Sequence, residues 1–360
     1  MRITFLLPGS GHRPIGGFKV VYEYANRLVR DGHFVTLLHL QMVRPPHKVF
    51  KKILLLGKYV ERKIFSTWRP TRWFKLDPRI NMRWLVYPHE RNAPLADIII
   101  ATGWDTANII DKYDSNKGEK CYLIQHYEVW ASSDPDAVNA TWKLPLHKIV
   151  IARWLQDIAE NMGEHADYIP NGLDFNAFGI DRPLDKRSPE SVLLLYHWRP
   201  YKGTQEAVQA LKLIKKSYPN LKVTMFGVPK RPKNLPNWIV YYRNPQQDLL
   251  RELYNKSGIF IAPSHTEGWG LTASEAMMCG CAVVATDVGG HREFAINNET
   301  AILVPPGNIQ QMVEAIGRLI DDHQLRIALG GRASEYVKRF TWERSYNKLV
   351  ETLKKSENPE

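Results

Sequence analysis

The chain has 360 residues with 49 Lys/Arg against 37 Asp/Glu, a formal net charge of +12, and is 44% hydrophobic and 24% charged. This length suits two domains of roughly 150–200 residues each, and the balance is that of a globular protein. No apolar run reaches the ~20 residues of a membrane-spanning helix. The three cysteines, Cys121, Cys279 and Cys281, are too few and wrongly spaced for a disulfide framework or a zinc knuckle, so the expected setting is reducing and cytoplasmic.

The first apolar run, 2–8 (RITFLLP), reads as a buried strand and leaves no room for a signal peptide. "GGFKVVYEYANRLVRDG" follows, with Phe18, Val21, Tyr22, Ala25, Leu28 and Val29 at helical spacing and Gly32 as the stop. Gly16 and Gly17 open this helix. After a strand at 34–40, residues 44–75 hold ten Lys/Arg against one acid, Glu61. Phe50, Leu54, Leu55, Leu56, Tyr59, Phe65, Trp68, Trp73 and Phe74 are interleaved with them. Such a stretch suits an anionic surface, whether lipid headgroups, nucleic acid or a phosphate-bearing substrate. The plainer alternative is a solvated basic face with its apolar side in the core.

Strands are then expected at 83–87, 97–101, 121–126 and 148–152, several of them near-continuous hydrophobic runs suited to a parallel sheet buried on both faces. "LIQHYEVW" places His126 and Glu128 at a strand end, where a structural histidine is the alternative to a functional one. The second half repeats the scheme, with strands at 191–197, 222–227, 238–242, 258–262, 282–286 and 301–304. Late helices are expected at 308–321, 323–339 and 342–355. The aperiodic stretch 171–191 is the expected junction. The fold class is therefore α/β, with two doubly wound Rossmann-like domains facing across a cleft. They are expected at 1–170 and 171–340, with a helix at 341–360 crossing back to the first. Ligands of such sheets bind outside the carboxyl ends of the strands.

At one such end lies "SHTEGWGLTASEAM", where Gly268 and Gly270 lead into a helix whose first amides make an anion site. Glu267 and Glu275 are eight positions apart. Locally, Thr272 and Glu275 also satisfy the spacing of a capping box. The E-x7-E spacing, followed by "EAMMCGCAVVATDVGGHREF", resembles the retaining glycosyltransferases of family four, which have the GT-B fold. "IPNGLDFNAF" at 169–178, "YKG" at 201–203, "ILVPPGN" at 302–308 and the "GG" at 16–17 agree with this. The resemblance is strong over about 165–345 and weaker before it.

The resemblance implies a nucleotide-diphosphate sugar, UDP-glucose being the expected donor, as substrate rather than cofactor, with no metal. Glu275 would accept hydrogen bonds from the ribose hydroxyls, and Glu267 would hold hydroxyls of the transferred sugar. The amides of Gly270, Leu271 and Thr272 would meet the diphosphate or sugar. Lys202 would stabilise the departing diphosphate. The family's arginine five residues before that lysine is absent: His197 stands there, and Arg199 is the expected substitute. His126 matches a position kept near the sugar, while Gly16 and Gly17 would approach the diphosphate or acceptor. The expected acceptor is a saccharide or lipid-linked saccharide, reached at an anionic membrane surface through 44–75 on the inner face of the cell membrane.

Other signals fail. "GSGHRP" at 9–14 lacks the third glycine of a dinucleotide fingerprint, and no phosphate-loop motif is present. "DPD" at 134–136 reads as a turn rather than a metal-binding D-x-D, and the histidines lack zinc spacing. Two rival functions are a sugar-nucleotide epimerase of the same architecture and a non-catalytic nucleotide-sugar or polyanion-binding protein. Nucleic-acid binding has charge in its favour but no recognisable module.

Overall fold

The computed structural model describes residues 1–44, 48–131 and 134–357. Part of the basic segment (45–47) and the last three residues of the expected terminal helix thus lie outside the described residues. The chain forms two compact units, one of Met1–Gly172 with Trp342–Glu360, the other Leu173–Thr341.

The first unit runs β1 (Arg2–Pro8), α1 (Gly16–Arg30), β2 (Phe34–Leu40), α2 (Val49–Ile64), β3 (Asn81–Leu85) and β4 (Ile98–Ala101). It continues with α3 (Trp104–Ile110), β5 (Glu119–Ile124), α4 (Pro135–Trp142), β6 (His147–Val150), α5 (Arg153–Asn161) and β7 (Ala166–Tyr168). Its seven strands lie in the order β3-β2-β1-β4-β5-β6-β7, and their pairings are parallel. Ile98, Ile99, Ile100 and Ala101 of β4 are all buried, as a strand covered on both faces requires. The apolar stripe of α1 is buried on this sheet, each large side chain contributing about 1.5–3 kcal/mol.

The second unit comprises β8 (Ser191–Leu195), α6 (Thr204–Ser217), β9 (Lys222–Gly227), β10 (Ile239–Arg243), α7 (Gln247–Lys256) and β11 (Ile259–Ala262). Then come α8 (Leu271–Met278), β12 (Ala282–Thr286), β13 (Ala301–Val304), α9 (Ile309–Asp321) and α10 (His323–Tyr336). Its six parallel strands run β10-β9-β8-β11-β12-β13. Val192, Leu194, Val223, Ile259, Ile261, Val284, Leu211 and Ile316 belong to one core shared by this sheet and its helices.

A final helix, α11 (Trp342–Glu357), belongs to the first unit. Trp342 meets the Tyr24 ring edge-on at 5.4 Å and carries the Arg27 guanidinium 5.0 Å from its centroid. Tyr346 donates to Asp31 at 2.6 Å and Ser345 to the Pro170 carbonyl at 2.6 Å.

Strand order locates the crevices. In each sheet the chain first builds outward on one side, then crosses to the other. The order therefore reverses between β1 and β4 in the first unit and between β8 and β11 in the second. Ligands of open α/β sheets settle at such reversals.

Candidate active site

In the second unit the loops leaving β8 and β11 flank the reversal, and they bring two predicted residues together. Lys202 donates to Glu267 Oε1 at 2.7 Å, and Ser264 donates to the same oxygen at 2.7 Å. Among the described residues Oε2 receives no hydrogen bond, so one edge of the carboxylate is held and the other is open. Burial alone would raise the Glu267 pKa, but the Lys202 charge, then His291 and the hydrogen bonds from Lys202 and Ser264, outweigh it and hold the group at about 2. Both side chains are mostly covered, at 20% and 17% exposure, so the attraction is little screened.

The approach of these loops depends on Gly203. Its φ is +62°, and a Cβ there would lie 1.9 Å from the Pro263 carbonyl oxygen, on the strand end that carries the glutamate loop. The His265 amide donates to the Tyr201 carbonyl at 2.7 Å, closing the same contact.

Glu275 is not a cap. Helix α8 begins after Gly270, whose φ of +106° is left-handed, and no side chain caps it. Thr272 is therefore inside the helix, and the capping-box alternative is not realised. The first internal bonds run from the Ala273 and Ser274 amides to the Gly270 carbonyl, leaving the amides of Leu271 and Thr272 ahead of the ladder. Glu275 is buried, and Tyr254 donates to its Oε2 at 3.2 Å and to the Thr272 carbonyl at 3.1 Å. Desolvation keeps the Tyr254 phenol protonated, its pKa lying well above the ordinary value.

His291 completes this wall and has no role in the sequence reading, although the "GGHREF" containing it belongs to the family-like stretch. It is buried, and its Nδ1 donates to the Thr286 carbonyl at 2.8 Å. Burial lowers its pKa, so the ring is neutral and its second nitrogen is an acceptor. A Cβ on Gly270 would lie 2.8 Å from this ring, which ties the start of α8 to it.

Arg199 is not drawn to the carboxylates. It is exposed, with its guanidinium 4.2 Å from the Trp198 ring centroid. His197 is pushed down to about 4 by burial and by the charges of Lys202 and Arg199, so it is neutral and supplies no cation. Its Nδ1 accepts from the Arg199 amide at 3.1 Å.

In the first unit, Gly16 and Gly17 form the first turn of α1 behind Ile15, which offers no side-chain cap. Gln125 donates to the Gly17 carbonyl at 3.2 Å, so the end of β5 abuts that turn. His126 is half-buried, edge-on to Trp130 and Trp154 at 5.7 and 5.9 Å. Glu128 accepts from the Trp104 amide at 2.9 Å, at the start of α3. Burial raises it to about 7, against the opposing effect of that amide, and Asp105 adds to the rise. Asp134 caps α4, accepting from the amides of Asp136 and Ala137.

The capsular polysaccharide biosynthesis glycosyltransferase CapM of Staphylococcus aureus is 25% identical over 256 residues, 66% of this chain and 66% of its own length. A D-inositol 3-phosphate glycosyltransferase of Paenarthrobacter aurescens is 29% identical over 54% of this chain and 52% of its own. The chain thus spans about half to two thirds of the length of these relatives. Among solved structures, Anabaena HepE in complex with UDP and glucose superposes with a TM-score of 0.75 at 17% identity, covering 98% of this chain and 99% of that one. The fold is that of the GT-B glycosyltransferases, two parallel-sheet Rossmann-like domains. Over residues 181–336 the chain matches the family described as glycosyl transferases group 1.

Proposed function

We propose that the protein is a retaining, metal-independent glycosyltransferase that moves glucose from UDP-glucose to a saccharide or lipid-linked saccharide in polysaccharide biosynthesis. The observation that carries this is the Lys202–Glu267 pair at the strand-order reversal, one carboxylate oxygen anchored and the other open, beside the start of α8. Glu267 Oε2 accepts from hydroxyls of the transferred sugar. Glu275, fixed on α8, accepts from the ribose hydroxyls, where a charged acceptor gives the stronger bond. Lys202 and the amides of Gly270, Leu271 and Thr272 offset the diphosphate charge as it develops in the transition state. Arg199 adds charge once it leaves Trp198.

The departing phosphate takes the proton of the incoming hydroxyl on the same face of the sugar, so no separate protein base is needed. For the first unit the same reading assigns His126 to the transferred sugar, and Gly16 and Gly17 to the diphosphate or acceptor. The protein works in the cytoplasm at the inner face of the cell membrane. The names of CapM and of the UDP-bound HepE structure support a nucleotide-sugar donor and a glycan product.

The test is calorimetric titration with UDP, GDP and UDP-glucose, with and without EDTA, followed by proton NMR of the transfer product. UDP binding that persists in EDTA and an α-linked product are expected. Absence of nucleotide binding, or a β-linked product from UDP-glucose, overturns the reading.

A further inference from the structure

Helix α2 is a surface helix turned inside out. None of its residues is buried. The side that meets the rest of the first unit carries Leu55, Leu56, Tyr59 and Arg62, the partly covered positions. Tyr59 donates to the Trp84 carbonyl at 3.0 Å and lies 4.7 Å from the Trp84 ring, while Gln41 donates to the Leu55 carbonyl at 3.1 Å. These contacts fix the rotation of the helix. The opposite side therefore faces solvent, and apart from Gly57 and the carboxylate of Glu61 it is apolar.

Val49, Ile53, Val60 and Ile64 fall along one line of that outer face, with Phe50 and Leu54 beside them. Phe50 is 80% exposed, Ile64 71% and Ile53 61%, and Phe65 extends the row at 71%. Lys51 and Lys58 border the row on one side, Lys52 and Lys63 on the other. Glu61 is the single acid between Arg44 and Lys75, against ten bases. A contiguous exposed apolar row marks an interaction surface, and this one is bordered by cations on both sides. A helix of this form lies in the plane of a lipid interface, apolar residues inserted and lysines at the headgroups.

We infer that α2 docks the protein on an anionic lipid surface, inserting Phe50, Ile53 and Ile64 between lysines that meet the phosphates. Arg62 donates to Ser10 Oγ at 3.4 Å, so the docked helix lies beside the loop that leads from β1 into Gly16 and Gly17. Lipid-linked molecules in that surface are thereby presented to this loop. The naming of the acceptor rests on the proposed function, whereas the docking does not.

The experiment is co-sedimentation of the full chain with vesicles of phosphatidylglycerol and phosphatidylcholine, and with phosphatidylcholine alone. UDP titration of each preparation accompanies it. Binding to the anionic vesicles that weakens with salt is expected. The variant F50S/I53S/I64S should bind at least tenfold more weakly. K51E/K58E should also lose more than tenfold, since each lysine near such a surface contributes about fivefold. Leu213→Ser, an exposed leucine of the second unit, should change nothing. Trp fluorescence of F50W, quenched by brominated lipid, reports insertion without depending on a loss of binding. Wild-type protein that binds UDP but not anionic vesicles overturns the inference and leaves the donor site standing. It is equally overturned if the triple variant keeps vesicle binding and instead dissociates a dimer, since a second copy then covers the face. Vesicle binding without UDP binding supports the docking and removes the donor reading.

Discussion

Lys202 and Glu267 are 65 residues apart in sequence and 2.7 Å apart in the second unit, sharing an oxygen with Ser264. The pair serves two ends at once. It neutralises a carboxylate that burial would otherwise protonate, and it holds an ammonium at the crevice where phosphate charge is proposed to develop. Lys202→Ala should lower kcat by about 10²–10³-fold, the scale of losing one transition-state charge donor, with UDP affinity reduced much less. Steady-state kinetics beside calorimetry separates the two effects.

The same pair sets an acid dependence. The folded Glu267 pKa of about 2 lies below its ordinary 4.5, so the stabilisation is complete above about pH 4.5 and is lost as pH falls toward 2. Lys202→Ala removes the first of the lowering causes and should flatten the decline of Tm between pH 5 and 3. Thermal unfolding followed across that range gives the answer.

Glu275→Ala discriminates binding from capping. Because Gly270 starts α8, Tm should change by no more than a few degrees, while UDP affinity falls about tenfold or more with the loss of a charged acceptor. Tyr254 keeps a second acceptor at the Thr272 carbonyl, which limits the structural damage. A large Tm loss with unchanged UDP affinity would reject the ribose assignment.

Glu128 titrates near neutrality. Its folded pKa of about 7 lies above 4.5, so the native state binds the extra proton between these values, and the protein loses stability as pH rises from about 4.5 to 7. Glu128→Gln keeps an acceptor for the Trp104 amide and carries no charge. It should raise stability at pH 8 by about 1–3 kcal/mol, seen as a higher Tm, and do little at pH 5.

Gly203→Ala should be costly for a reason no nearby side chain can relieve. The clash is with the backbone carbonyl of Pro263, in a left-handed conformation, and about 3 kcal/mol or more is expected. Urea denaturation measures it.

Much of this was legible in the sequence where pattern and burial coincide. The strands 2–8 and 34–40 carry the boundaries the structure gives to β1 and β2: the first apolar run stops at Pro8 and Gly9, and the second begins just after the Gly32 helix stop and ends at the polar Gln41. β7 was not legible: three residues, Ala166–Tyr168, on a sheet edge carry no period. β3 lies two residues earlier than expected, since Asn81 at its start is polar and the strand is an edge. Among site residues, Glu267, Glu275 and Lys202 stood out by motif. His291 and Tyr254 did not, as a buried histidine and tyrosine look alike in sequence whether or not they line a site. Within 44–75 composition revealed the charge and the aromatics. It could not reveal that α2 turns its apolar side outward, because a periodic stripe reads the same whichever way it faces.

The placement of α11 has a consequence for synthesis. The first unit needs Trp342–Glu357, so it is incomplete until that helix has been made, after the whole of the second unit. The second unit is one continuous stretch whose ends already meet, the Leu173 amide donating to the Phe340 carbonyl at 2.8 Å. On the ribosome the order of completion is therefore the reverse of the order of translation. The unit begun second is finished first, and the chain's opening strands wait, with Tyr24 and Arg27 uncovered, for a tryptophan more than 300 residues downstream.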